Sequence, residues 1–339
     1  MSSFLTPPQV DPDYWRGKRV VVTGGSGFVG SHLVERLLPF CDRIVVPTRQ
    51  AGVPLHLRAS AGGVDLLRGD LNDPEFAMRA IESADVVLAL AAVMGGIQYN
   101  MVRHASVFRD NIGVYMATME AAREAEVARV LVCSSACVYP RHCEIPTPEL
   151  EGMRERPEPT NEGYGWAKRM EEYLASAYAE EFGMSVAVAR PYNAYGPGDN
   201  FDPDRSHVIP AIIRKTFDES LDEIVVWGSG NQSRSFLYVT DFVDGLIRIC
   251  ERATDSLPTN VGADEETSVA HLVQMIVRLS GTDKPVRFDT SRPEGQPRRH
   301  CDVTKLERDY DFRARVSLEE GIRATIDYFR EEIRPCVLT

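Results

Sequence analysis

A run of β-branched residues that ends in clustered glycines and passes straight into an amphipathic pattern permits very few folds, and this chain carries one at residues 20–38. Val20-Val21-Val22-Thr23 reads as a strand and Gly24-Gly25-Ser26-Gly27 as a tight turn. Leu33, Val34, Leu37 and Leu38 then mark the apolar face of a helix. The glycines fit G-x-G-x-x-G at Gly25, Gly27 and Gly30. In this setting the backbone can approach a pyrophosphate closely, and the free N–H groups and dipole of the helix N-terminus stabilise its charge. The residues assigned to that contact are Gly24, Gly27, Phe28, Val29 and Gly30.

The two periods keep alternating downstream. Strands are expected at 43–46, 64–67, 85–90 and 130–133, and helices at 74–81 and 104–125. Such alternation defines an α/β chain with a Rossmann-type, doubly wound parallel sheet, whose ligands sit at the carboxyl ends of its strands. After Arg190-Pro191-Tyr192-Asn193 it gives way to a loop rich in Gly, Pro and Asp and a helix at 208–217. The chain then returns to the sheet through 236–239 and a helix from Asp241. The expected organisation is an N-terminal extension at 1–16, a dinucleotide-binding domain of 17–189 plus about 237–262, and a smaller, discontinuous substrate domain of about 190–236 plus 263–339.

Composition narrows the functional classes. With 339 residues, 43% hydrophobic and 26% charged, the chain can bury a large core. A net charge of −12 excludes a general nucleic-acid or anionic-membrane binder, which needs a dominant basic surface, so any anionic ligand must meet local cations. The seven cysteines are scattered without C-x-x-C pairs, which fits free thiols in a reducing cytoplasm and no metal site. No secretory signal stands at residues 1–15, and the most apolar stretch, 86–94, is too short to span a bilayer. A cytoplasmic protein is expected.

The end of the second strand discriminates between dinucleotides. An acid there would bind the ribose 2′-OH of NAD, but the sequence is Val46-Pro47-Thr48-Arg49. Arg49 can pair with a 2′-phosphate, which favours NADP; a solvated arginine beside a site for NAD is the alternative. Asp70 and Leu71 follow the third strand, where Asp70 can face the adenine edge. Ala91 and Ala92 after the fourth are small enough for the cofactor to lie close.

Catalytic residue types gather beyond the fifth strand. Ser134-Ser135 stands at its carboxyl end, and Tyr164-Gly165-Trp166-Ala167-Lys168 opens a helix running to about Phe182. The i, i+4 spacing puts Tyr164 and Lys168 on one helical face, where the ammonium favours the phenolate and so lowers the tyrosine pKa. Ser135 can share the oxygen on which Tyr164 acts. A dinucleotide-sensing regulator of the same fold would dispense with the Tyr/Lys pair.

With these residues the chain resembles the extended short-chain dehydrogenase/reductases, the NAD(P)-dependent nucleotide-sugar epimerases and dehydratases. Further likeness lies in Ala91-Ala92-Val93-Met94-Gly95-Gly96-Ile97, Ser135-Ala136-Cys137-Val138-Tyr139-Pro140, Glu158-Pro159-Thr160-Asn161-Glu162, Ser206-His207-Val208-Ile209-Pro210 and Val226-Trp227-Gly228-Ser229-Gly230. Within the family the likeness is to GDP-fucose synthases (GDP-4-keto-6-deoxymannose 3,5-epimerase/4-reductases) and secondly to GDP-mannose 3,5-epimerases. His207 follows the first group, while Ala136 and 232–236 lean to the second.

The resemblance implies a catalytic set of Ser135, Tyr164 and Lys168, with Cys137 and His207 as the acid–base pair of an epimerisation. It implies nucleotide-sugar contacts at Asn193, Lys215, Trp227, Arg234 and Arg292, a GDP-linked substrate and a homodimer. The pair also makes chemical sense, since inverting a carbon beside a ketone needs one group to remove a proton and another to return one on the opposite face. Read singly, Cys137 is a small buried hydrophobe, His207 a loop histidine, Trp227 a core aromatic and Lys215 a solvated helix residue. Arg298-Arg299-His300 reads as loop solvation.

Overall fold

The computed structural model describes residues 5–57, 61–95, 97–203, 205–292 and 296–337. The first four residues of the expected extension, and Gly96 of the 91–97 motif, lie outside them. The chain begins with α1 (Pro12–Trp15), β1 (Arg19–Thr23), α2 (Phe28–Leu37), β2 (Arg43–Thr48), β3 (Val64–Arg68), α3 (Pro74–Ile81) and β4 (Val86–Ala89). It continues with α4 (Ile97–Met101), α5 (His104–Glu124), β5 (Arg129–Cys133), α6 (Glu162–Phe182), β6 (Val186–Pro191) and β7 (Asn193–Tyr195). Next come α7 (Val208–Phe217), β8 (Ile224–Trp227), β9 (Ser233–Arg234), β10 (Phe236–Tyr238), α8 (Val239–Arg252) and β11 (Thr259–Val261). The last are β12 (Thr267–Ser268), α9 (Val269–Ser280), β13 (Val286–Asp289), β14 (Arg298–Arg299), α10 (Thr304–Tyr310) and α11 (Leu318–Tyr328).

Seven strands form one parallel sheet in the order β11-β6-β5-β4-β1-β2-β3. The chain winds outward from β1 in both directions, so the topological switch lies between β1 and β4. Alternation along β1 feeds both faces. Val20 and Val22 pack with Leu33 and Leu37 of α2 and Phe242 and Leu246 of α8. Val21 packs on the opposite face with Phe76 and Ile81 of α3 and Met119 of α5. These side chains are at most 5% exposed, and burial of each stabilises the fold by about 1.5–3 kcal/mol. A third apolar cluster joins α7, β8, α9 and α11 through Ile209, Ile213, Ile224, Leu272, Ile276 and Ile322.

Local signals explain why some elements coincide with the sequence expectation. The Asp73 side chain accepts from the Glu75 N–H and Pro74 opens the first turn, so α3 begins where its cap dictates. Gly183, with φ of +67°, closes α6 in the left-handed conformation. The expected return to the large sheet through 236–239 is corrected. Phe236–Tyr238 pairs with β7 in a separate two-stranded sheet, and β11 is the strand that rejoins the large one. The reason lies in its side chains: Leu237 enters the core under α8, whereas Phe236 and Tyr238 enter the third cluster, so β10 bridges two cores. The described part of the N-terminal extension is also docked. Trp15 is fully buried, and its indole Nε1 donates to Glu251 at 2.7 Å.

A bidentate ion pair holds α2 against α8, with Arg36 Nε and Nη2 each 2.6 Å from a carboxylate oxygen of Asp244. Side-chain exposures are 4% and 0%. Arg36→Met leaves a buried carboxylate with the more distant Arg315 at 3.4 Å, and should lower stability by about 3 kcal/mol in urea unfolding.

Candidate active site

The site begins at the switch point, where the turn after β1 meets the turn after β4 with no space to spare. Gly24 has φ of +69°, and a Cβ there would lie 2.9 Å from the Ala91 nitrogen. A Cβ on Gly30 would lie 2.2 Å from the Gly24 carbonyl oxygen, so α2 starts against the turn itself. Gly27 caps α2 in extended conformation without a side-chain hydrogen bond, which leaves the first N–H groups of the helix facing the cleft. From beneath, Thr23 Oγ1 accepts from the Leu90 and Ala91 N–H groups, both at 3.1 Å. A cradle without Cβ atoms, at a helix N-terminus in a cleft of about 1380 Å³, fits a dinucleotide pyrophosphate.

Gly24, Gly27, Phe28, Val29, Gly30, Arg49, Asp70, Leu71, Ala91 and Ala92 all line this cleft. Arg49 directly follows β2, and Asp70 is near enough for the guanidinium to act on its carboxylate. The Asp70 pKa is lowered first by the Asn72 N–H and to a lesser degree by Arg49. Asn111, buried on α5, braces the floor: its Oδ1 accepts from Val93 N–H at 3.0 Å and its Nδ2 donates to the Val93 carbonyl at 2.8 Å.

Ser135, Cys137, Tyr164 and His207 line the same cleft. Ser135 Oγ accepts from the Cys137 N–H at 3.1 Å and so starts the short turn that carries the thiol. Tyr164 is 6% exposed and shares a small apolar cluster with Cys137 and Val107. Lys168 lies beneath it, its Nζ 5.6 Å from the ring centroid, and does not itself line the cleft. Burial raises the Tyr164 pKa and Lys168 only partly offsets this, so the lowered pKa expected for Tyr164 is corrected to a raised one. His207 is the N-cap of α7 and its ring makes no hydrogen bond to a described residue. The ring is solvent-accessible in the open cleft, yet protein surrounds it, and this desolvation lowers its pKa.

The assigned nucleotide-sugar residues are distributed as follows. Asn193, Lys215, Trp227 and Arg234 line the cleft, and Arg292 does not. Arg292 instead lies over the Trp227 ring at 5.4 Å. Trp227, 39% exposed at the end of β8, is therefore not a core aromatic. Lys215 is not a solvated residue either, since its half-buried Nζ donates to the Val225 carbonyl at 2.7 Å. The loop-solvation reading of 298–300 holds only for Arg298, which is exposed and paired with Glu266. Arg299 and His300 are buried. Arg299 lines the cleft, its Nε donates to Gln296 at 2.8 Å, and its Nη1 is 3.9 Å from Cys137 Sγ. It forms no ion pair with a carboxylate among the described residues. No local sequence signal identifies Arg299, because 162 residues separate it from the thiol.

Residues 20–262 match the model of the NAD dependent epimerase/dehydratase family, and the chain belongs to that family. It is 34% identical over 331 residues to dTDP-4-dehydro-6-deoxy-D-allose reductase of Streptomyces bikiniensis, covering 95% of this chain and 99% of that one. It is 33% identical over 327 residues to GDP-L-fucose synthase of Escherichia coli (strain K12), covering 93% and 97%. A solved UDP-glucose 4-epimerase with UDP-glucose from Thermotoga maritima superposes with a TM-score of 0.83 at 25% identity, covering 92% and 98%. The chain is thus an NAD(P)-dependent nucleotide-sugar epimerase/reductase. Among the described residues, no helix is long and apolar enough to cross a membrane.

Gly24→Ala tests the cradle. The new methyl group meets the Ala91 backbone and the left-handed φ becomes strained, for a cost of about 1–3 kcal/mol. Affinity for the reduced nicotinamide dinucleotide, read by fluorescence titration, should fall by at least about fivefold.

Proposed function

We propose that this chain is an NADP-dependent epimerase/reductase of a GDP-linked 4-keto-6-deoxyhexose. The observation that carries the reading is the convergence of Ser135, Cys137, Tyr164 and His207 from separate segments on one cleft that also contains the glycine cradle. A reductase alone needs a proton donor for the reduced oxygen. The thiol and the imidazole supply what an epimerisation needs in addition.

When bound, the nicotinamide dinucleotide supplies hydride for C4 of the sugar. Cys137 removes a proton from a carbon beside the ketone, while Ser135 donates a hydrogen bond to the developing enolate oxygen. The Arg299 guanidinium beside Cys137 Sγ is placed to balance the charge that sulfur carries in this step. His207 returns a proton on the opposite face. Tyr164, kept protonated by its buried setting, gives its proton to the C4 oxygen as the ketone becomes an alcohol. We assign Trp227 to the face of the base or ribose, and Lys215, Arg234 and Arg292 to the diphosphate side. We further assign 17–189 and about 237–262 to the dinucleotide and the remaining segments after 190 to the sugar nucleotide.

A dTDP-linked 4-keto-6-deoxyhexose reductase without epimerisation is the second reading, favoured by the 34% identity to an enzyme of that name. Incubation of the GDP- and dTDP-linked 4-keto sugars with NADPH in D2O separates the two. Deuterium at C3 or C5 marks epimerisation, and NADPH consumption marks reduction. Cys137→Ser should abolish deuterium incorporation, because a serine hydroxyl is too weakly acidic to form the anion at neutral pH. The same variant should still bind NADPH. Exchange at the wild-type rate would remove the thiol from the mechanism and leave the reductase.

Arg49→Met tests the cofactor preference. Loss of a charge-assisted phosphate contact costs about 1.5–3 kcal/mol, so NADPH affinity should fall by about 10- to 100-fold with NADH affinity unchanged. Equal affinity of the unaltered protein for NADPH and NADH would refute the preference.

A further inference from the structure

Lys168 has a buried partner of opposite charge on its own helix. Glu171 Oε2 lies 2.8 Å from Lys168 Nζ, and the two side chains are 3% and 2% exposed. A second ammonium hydrogen goes to the Cys133 carbonyl at 2.9 Å. Two of the three donors of Lys168 are therefore committed beneath Tyr164. The spacing i, i+3 puts Glu171 on the lysine's side of α6, one turn farther from the cleft.

We propose that Glu171 is a positioning residue for the Tyr164/Lys168 pair: its carboxylate holds the ammonium and offsets its charge, so that Tyr164 keeps its proton and serves as the acid of the reduction. The inference rests on the reading of Tyr164 as the proton donor to the C4 oxygen. An isolated ammonium beside the phenol would favour the phenolate, which suits alcohol oxidation. A neutral ion pair removes most of that field and suits ketone reduction.

The other ionisable groups around the triad do not supply the missing charge. Cys133 at the end of β5, Cys137 in the following turn, Tyr99 on α4 and Tyr115 on α5 are neutral when protonated. Glu172, on the same helix, is committed to Arg190 of β6 through two bonds of 2.6 Å. Burial pushes the Glu171 pKa up, and the contact with Lys168 pulls it back down. Loss of the Glu171 charge would leave the ammonium uncompensated, and the phenol would become easier to ionise.

The test uses the full chain with Tyr164→3-nitrotyrosine, a phenol whose anion absorbs in the visible and can be titrated without substrate or cofactor. Adding Glu171→Gln should lower the ionisation of this reporter by at least about one pH unit, and Glu171→Asp should leave it near the parent value. In the unlabelled enzyme, Glu171→Gln should raise the rate of product oxidation with NADP+ by about tenfold on the rising limb of its pH profile. A purely structural glutamate would change stability and leave both readings unmoved, which overturns the proposal. Should Glu171→Gln not fold, Lys168→Met with Glu171→Met removes the pair as a unit. Reporter ionisation within about half a pH unit of the parent then supports the proposal, and a larger rise overturns it. Ketone reduction by Tyr164→Phe at the wild-type rate would instead refute the role of Tyr164, while the reporter still decides whether Glu171 offsets Lys168.

Discussion

The close approach of two backbone turns at the switch point governs where everything else in this molecule can sit. Gly24 must be left-handed and without a Cβ because the Ala91 backbone is there, and Gly30 must lack a Cβ because the Gly24 carbonyl is there. These two contacts bring the N-terminus of α2 to the end of β1 and put the floor of the cleft, from Ala91 to Gly95, beside it. The other end of α2 is tied to α8 by Arg36 and Asp244, so the helix is fixed at both ends. Helix direction and cleft position follow from the same few atoms.

Behind the turn that carries Ser135 and Cys137 the sheet is held by polar groups rather than by apolar packing alone. Glu172 accepts two hydrogen bonds from Arg190 and one from Ser134, and Arg190 also donates to the Tyr139 hydroxyl and the Glu149 carbonyl. Arg169, about one turn back along α6 from Glu172, donates twice to the Val138 carbonyl, at the turn that carries Cys137. A buried network of this kind adds little net stability when complete but is costly to leave half-made. Its consequence is geometric. The ends of β5 and β6 are locked to α6, so Ser135 and Cys137 on the turn and Tyr164 on the helix keep one mutual arrangement.

Much of this was legible in the sequence, for identifiable reasons. The strand, turn and helix at 20–38 announce themselves because glycine is required where a Cβ has no room. The helices at 74–81 and 208–217 match in extent because one has a cap and a proline at its start and the other a clean apolar period. Strands β6 and β11 are not separable from their surroundings: both are buried throughout, so neither shows an alternation of buried and exposed positions, and β11 is only three residues long. Pairing across long separations has no local signature. For that reason the local pattern of β10 points to the wrong sheet, and Arg299 looks like a solvated arginine beside Arg298. Glu171 was hidden for another reason, since two adjacent glutamates on a helix carry no mark of which faces a buried lysine.

Desolvation acts on the phenol and the imidazole of the cleft in opposite numerical directions but with one chemical effect. It raises the Tyr164 pKa and lowers that of His207, and in both cases the neutral form is favoured. Arg299 stands beside the thiol and Lys168 below the phenol, and the charge of the latter is matched by Glu171. A neutral phenol is a proton donor and a neutral imidazole a proton acceptor until it has been charged. The imidazole must therefore be protonated before it can complete an inversion, whereas the phenol starts in the form that reduction requires. The electrostatics of the cleft thus favour protonation of a C4 alkoxide more directly than they favour its formation. Under the function proposed above, that asymmetry suits a reductase carrying an epimerising pair better than an epimerase that must first oxidise its substrate.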